Sequence, residues 1–201
     1  MRSVTFAEPP HELLNEQMSA HSLDNRASLA ALTVCLETLL GRRLAWDVLA
    51  AATVQEEIGL RGAGVAAFAL QPDLAVAVDV TYGSDFNTRE FSHRTQALGS
   101  GAILGLGPNI HPGLLSSFKK AAERAEIPYA IEAMWANSGT DAAALQLARA
   151  GIPTMVVSIP LRNMHTPVEV VALKDISRTG RLLAEWIAGL EAGFMQTLVL
   201  E

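Results

Sequence analysis

Apolar residues recur at helical spacing from Arg26 to Leu40 (RASLAALTVCLETLL) and the pattern stops at Gly41, which predicts a helix with Asp24 at its start. The next run, AWDVLAAATV, is almost continuously apolar up to Gln55, the pattern of a strand covered on both faces of a sheet. LRGAGVAAFAL reads as a Gly-rich turn followed by a helix, and LAVAVDV, from Leu74 to Val80, as a second strand. GSGAILGLG is a third strand, with glycines that weaken it. HPGLLSSFKKAAERAEI predicts an amphipathic helix with Pro112 in its first turn. PYAIEAM is a strand, GTDAAALQLARAG a helix closed by Gly151, and PTMVVSI another strand; Lys174 to Leu190 is a helix with Trp186 on its apolar side. A short extended piece, VTF, precedes all of these. Strands and helices alternate throughout. That order predicts an α/β fold, a three-layer α/β/α sandwich with helices on both faces of a mainly parallel central sheet. No repeat, linker or low-complexity tract divides it.

Composition narrows the picture. Of 201 residues 50% are hydrophobic and 18% charged, which suits one folded domain with a real core. The net charge of −6 and the lack of a Lys/Arg-rich run argue against nucleic acid or an anionic membrane surface as partner, and leave small molecules or peptides as ligands. No stretch reaches 18 consecutive apolar residues, and MRSVTFAEPP lacks the apolar core of a signal peptide, so the expected location is cytoplasmic. The single cysteine, Cys35, lies inside a helical apolar pattern. It excludes an internal disulfide and a thiolate metal cluster, and reads as a buried core thiol.

The chemistry is concentrated where strands are expected to end, the usual place for sites in open α/β sheets. Glu56 and Glu57 stand side by side in QEEIG, directly after the apolar run. Carboxylates in such a place need a partner or a metal. Asp79 falls near the end of LAVAVDV, His165 in the loop LRNMHTP, and Asp24 at a helix mouth. Taken singly, Asp24 is an ordinary N-cap, Asp79 a satisfied structural carboxylate and His165 a structural or solvated imidazole. Together, carboxylates plus one imidazole and no thiolate form the ligand set of a hydrolytic Zn²⁺, Co²⁺ or Mn²⁺ site. Adjacent residues of an extended chain point to opposite sides, so Glu56 and Glu57 are expected to divide the work. One holds metal and its neighbour acts as general base toward a metal-activated water. Two ions about 3.5–4 Å apart would need a bridging carboxylate, from Asp24 or Asp79.

In order along the chain, SLDNRASLAAL, TVQEEIGLRGA, AVDVTYG, GPNIHPGL, SGTDAAALQLARAGIPT and SIPLRNMHTPVEVV resemble the glutamyl and tetrahedral aminopeptidase family of dinuclear metallopeptidases, whose fold is that of the zinc exopeptidases. The resemblance implies that Asp24 bridges two divalent metal ions, that Glu56 is the general base, that Glu57 and His165 complete one ion's site and that Asp79 binds the other. Thr140 and Asp141 fall in a loop near the family's active site, and they also suit a helix start. Family members are longer, with an upstream metal-binding His and an inserted β domain that this chain lacks. The second ion is therefore expected to be held weakly, by Asp24 and Asp79 alone. Residues 1–20 read as a remnant of the upstream segment within a single catalytic domain, 1–201. His21 precedes Asp24 by three residues but is expected at the surface, as are His11, His93 and His111. The implied activity is metal-dependent removal of N-terminal residues from peptides, by a chain that associates with copies of itself. An inactive metal- or peptide-binding subunit of the same fold, or a metal-dependent hydrolase of glycans or acylated amines, would share the site.

Overall fold

The computed structural model describes residues 4, 7–84 and 95–198. Its centre is a parallel strand pair, β3 (Ala75–Ser84) and β7 (Thr154–Arg162), in register from Ala75 opposite Thr154 to Tyr82 opposite Leu161. Both strands come from the apolar runs that predicted them, and β7 is buried along all but its last residue. Around this pair the sheet is mixed, where the alternation predicts a mainly parallel one. β5 (Ala102–Leu106) runs parallel to β6 (Tyr129–Ala133) but antiparallel to β7. β8 (Glu169–Ala172) returns antiparallel along the end of β7. Beyond it lies a hairpin of β1 (His11–Leu13) and β2 (Gln17–Ala20), the latter antiparallel to β8. The two-residue β4 (Gln96–Ala97) borders the end of β3. The predicted VTF strand lies largely outside the described residues, as does His93.

Helices α1 (Leu23–Leu39), α3 (Pro112–Arg124) and α5 (Leu173–Ala188) form one layer, and α2 (Arg61–Leu70) pairs with the short α4 (Ala142–Gln146), which touches β3 and β7. The α/β class and layering follow the alternation read from the sequence. In α1 the buried residues Ala27, Ala31, Cys35 and Leu39 recur every fourth position, making a narrow seam of small side chains. The Cys35 thiol is pushed up to about 11 by burial, the chemistry of an inert core residue. Where α5 crosses that seam it carries Gly180, whose missing Cβ would lie 2.4 Å from the Ala31 carbonyl oxygen and 2.7 Å from Val34 Cβ. Trp186 of α5 stacks on Phe118 of α3 with centroids 4.3 Å apart, and its indole N–H donates to Ser117 Oγ at 2.9 Å. Asp175 is fully buried and accepts from the N–H groups of Gly99 (2.6 Å) and Gly101 (2.9 Å), tying the turn before β5 to the start of α5.

One predicted strand is absent. The run AWDVLAAATV forms no strand, and Leu49 and Val54 are 56% and 67% exposed. An apolar run becomes a strand only if neighbours pair its backbone and cover its faces. Among the described residues the edge of β3 away from β7 is paired only at Gly83 and Ser84, by β4, and the run does not join it. Among the described residues no helix is long and apolar enough to cross a membrane.

The helix crossing supplies a direct check. Gly180→Ala should destabilise the fold by ~1–3 kcal/mol, the usual cost of forcing a methyl into a close-packed contact. Denaturant unfolding of the variant measures it; an unchanged midpoint would mean that α1 and α5 do not meet this closely.

Candidate metal centre

Three turns and one strand bring the acidic residues together. At the start of α1 the chain is not yet helical: Ser22 is left-handed (φ 54°), and Asp24 and Asn25 have extended or irregular dihedrals before the regular turns begin. This irregular entry takes Asp24 out of the capping position, which Asn25 fills instead: its Oδ1 accepts from Ser28 N–H at 3.3 Å, where the regular turns begin. The single-residue reading of Asp24 as an N-cap therefore does not hold. Glu56 and Glu57 lie in a tight turn, in which the Glu56 carbonyl accepts from the N–H groups of Gly59 (3.1 Å) and Leu60 (2.9 Å). The turn is backed by α2, since Gly62 N–H donates to the Val54 carbonyl at 2.9 Å and a Cβ on Gly62 would sit 2.3 Å from that oxygen. Only glycine permits that approach. Asp79 lies inside β3, which runs on to Ser84 instead of stopping at Val80. His165 follows β7 in a turn and is itself left-handed, with φ 62°.

The result is a group of three ligand-type side chains. Oxygens of Asp24 and Glu57 and a ring nitrogen of His165 lie within 4.8 Å of one another, with His165 Nε2 3.1 Å from Asp24 Oδ2 and 3.6 Å from Glu57 Oε2. Glu56 and Asp79 line the same cavity, of about 340 Å³, without joining that three-residue group. Adjacent carboxylates thus part ways, though in a turn and not at a strand end. Asp79 is buried, and its Oδ1 accepts from Asn25 Nδ2 at 2.7 Å and from its own strand's Val80 N–H at 2.8 Å. Asn25, next to Asp24, thereby fixes the Asp79 carboxylate relative to the helix mouth.

Partial burial and neighbouring like charge together set the electrostatics of the cavity. Burial, with the charge and hydrogen bond of Glu57 beside it, raises Asp24 to about 6. Burial and then the charges of Glu57, Asp141 and Asp24 raise Glu56 to about 7, against the opposing pull of His165. Burial raises Asp79 to about 7 as well, although the Val80 N–H favours its ionised form. Like charges and desolvation both penalise the ionised carboxylate, and a bound cation relieves both. An all-oxygen and imidazole donor set of this kind fits a hard or borderline divalent metal.

Several residues behave differently from their sequence readings. Asp141 makes no cap; the hydroxyl of Thr140 accepts from Ala142 N–H at 3.3 Å, and Asp141 Oδ2 instead accepts a short hydrogen bond from the Thr53 hydroxyl, anchoring the segment that carries Glu56. His111 caps α3, with Nδ1 accepting from Gly113 N–H at 3.1 Å, rather than standing in solvent. His21 and His11, by contrast, keep to their surface reading: His21 reaches Ser22 Oγ (3.1 Å) and His11 reaches Glu8 (3.5 Å), both contacts exposed, and neither belongs to the three-residue group. Two carboxylates went unnoticed in the sequence: Glu132, buried in the cavity wall on β6, and Glu169, buried behind it at the start of β8. A charged residue in an otherwise apolar strand, as in YAIEA, is the signal that marks the first.

The raised carboxylates predict a pH effect in chelator-treated protein. A Glu whose folded value, about 7, exceeds the ordinary 4.5 contributes stability that is present below 4.5 and lost as pH rises through 7. Glu56→Gln should therefore melt like the parent near pH 4.5 and progressively above it toward pH 8. Thermal melts across that range measure the difference, and a difference independent of pH would contradict the crowding.

The profile of the M42 glutamyl aminopeptidase family matches residues 1–182. A lysyl aminopeptidase of Pyrococcus furiosus is 38% identical over 177 residues, covering 88% of this chain and 50% of the relative. Among solved structures, the aminopeptidase APDkam598 of the archaeon Desulfurococcus kamchatkensis superposes with a TM-score of 0.87 at 32% identity, covering 96% of this chain and 55% of that one. The TET1 peptidase of Pyrococcus horikoshii, described as assembling into a tetrahedron or a large octahedral shell, gives 0.74 at 26% identity over 92% of this chain and 54% of its own. The chain spans about half the length of these relatives. On the family profile and on the identity to its relatives, the chain belongs to the M42 glutamyl aminopeptidase family.

Proposed function

We propose that the chain is the hydrolytic part of a metal-dependent aminopeptidase that removes N-terminal residues from peptides. Asp24, Glu57 and His165 hold one divalent ion, Asp24 and Asp79 share in a second, and Glu56 is the general base. The observation that carries this reading is the group of Asp24, Glu57 and His165 in the wall of a cavity where Glu56 and Asp79 are raised toward neutrality. Zinc, cobalt or manganese ions, when bound, polarise a scissile carbonyl and make water more acidic.

The chain's own groups do the rest. Glu56, raised to about 7, is matched to take a proton from water near neutral pH and to return it to the departing amine. Asn25 and Val80 N–H hold one oxygen of Asp79 and so set where the other points. Met134, Trp135 and Met164 add apolar lining to the cavity beside its acids, and about 340 Å³ accommodates the end of a short peptide with its ammonium group. Association with further copies belongs to the same reading: the TET1 relative assembles, and Val54, Ile58, Val65, Phe68 and Leu147 expose apolar surface.

Glu56→Gln should lower turnover of an aminoacyl-chromophore substrate by at least ~100-fold, the usual share of a general base, with metal content unchanged by elemental analysis. Activity that survives the substitution would remove Glu56 from the chemistry, and turnover of glycans instead of aminoacyl substrates would overturn the substrate class.

A further inference from the structure

Glu169, the first residue of β8, is 2% exposed, and a carboxylate in that position needs hydrogen bonds to be tolerated. Its Oε2 accepts from the N–H groups of Leu23 (2.6 Å) and Asp24 (3.2 Å), and its Oε1 from the N–H of His165 (2.9 Å). These donors belong to two turns about 140 residues apart in the chain, a separation that follows from Asp24 and His165 themselves. Each turn contains a left-handed non-glycine residue, Ser22 with φ 54° and His165 with φ 62°. Such conformations persist only where the surroundings hold them.

We infer that Glu169 is a positioning residue: its two oxygens clamp the Asp24 turn to the His165 turn and so set the spacing of two metal ligands. The inference rests on the proposed metal-binding roles of Asp24 and His165, whose side chains stand 3.1 Å apart. Charge-assisted bonds to backbone N–H groups are short and directional, and a single carboxylate that accepts from both turns leaves little room for either to shift alone. Asp175 makes the comparison clear. It is equally buried and also accepts from two backbone N–H groups, but it ties Gly99 and Gly101, neither of which carries a candidate ligand.

The test is a Co²⁺ titration of the whole chain, followed by calorimetry and by visible absorption, for the parent protein and for Glu169→Gln, Glu169→Asp and Asp175→Asn. Gln keeps one acceptor oxygen and loses the charge; Asp keeps the charge and loses the reach. Both Glu169 variants should bind Co²⁺ ~10–100-fold more weakly, as outer-shell partners of ligands typically do, with altered ligand-field bands. Asp175→Asn should lower the melting temperature and leave affinity and bands unchanged. Parent-like affinity in Glu169→Asp would show that charge alone matters and would overturn the inference, as would equal losses in the Asp175 and Glu169 variants. If Glu169→Gln does not fold, the Glu169→Asp result decides. A parent protein that binds no Co²⁺ would instead overturn the metal reading itself.

Discussion

The burial of several carboxylates beside one another in a single cavity is the constraint around which the rest of this molecule is arranged. Asp24, Glu56, Glu57 and Asp79 line it with His165, and burial first, then their neighbours' like charge, raises Asp24 to about 6 and Glu56 and Asp79 to about 7. Burial of Asp79 and part-burial of Asp24 and Glu56 weaken solvent screening, and among the described residues no lysine or arginine lines the cavity. Such an arrangement costs folding free energy unless a cation occupies it. The structure meets that cost by anchoring each acid from behind: Asp79 through Asn25 and Val80, the Glu56 segment through Thr53 and Asp141, and the Asp24 turn through Glu169.

The sheet makes those anchors possible. Because β3 and β7 run parallel and in register, Asp79 and the turn after β7 come to the same end of the sheet, where the mouth of α1 also opens. The mixed periphery has a use as well. β8 returns antiparallel beside β7, and so delivers Glu169 to the back of the turns that hold Asp24 and His165. A wholly parallel sheet would send the chain away from the site at that point.

The sequence displays the parts whose identity is set by local pattern. Helices α1, α3 and α5 and strands β3, β5 and β7 are readable from period and from flanking Gly and Pro, because each buries an apolar face; β6 is readable from its composition although Glu132 is its one buried residue. The hairpin β1–β2, in HELLNEQMSA, escapes that reading since its residues are mostly polar and exposed, and it owes its form to pairing with β8. The opposite error arises at AWDVLAAATV, where apolar character is plain but partners are missing. Residue type and family resemblance point to Asp24, Glu57 and His165, and the fold brings their ligand atoms within 4.8 Å of one another. Glu169 and Asn25 were not nominated for any role, because their contribution lies in backbone N–H groups and in a neighbour's carboxylate, contacts that no residue pattern encodes.

Whether Asp24, Glu57 and His165 together hold a divalent ion is decided by anomalous diffraction from crystals grown with Zn²⁺, collected on both sides of the zinc absorption edge. Zinc held as proposed gives an edge-dependent peak within ~2.0–2.2 Å of an Asp24 oxygen, a Glu57 oxygen and a His165 ring nitrogen. Zinc bound elsewhere on the chain, with no peak among these three side chains, would contradict that proposal.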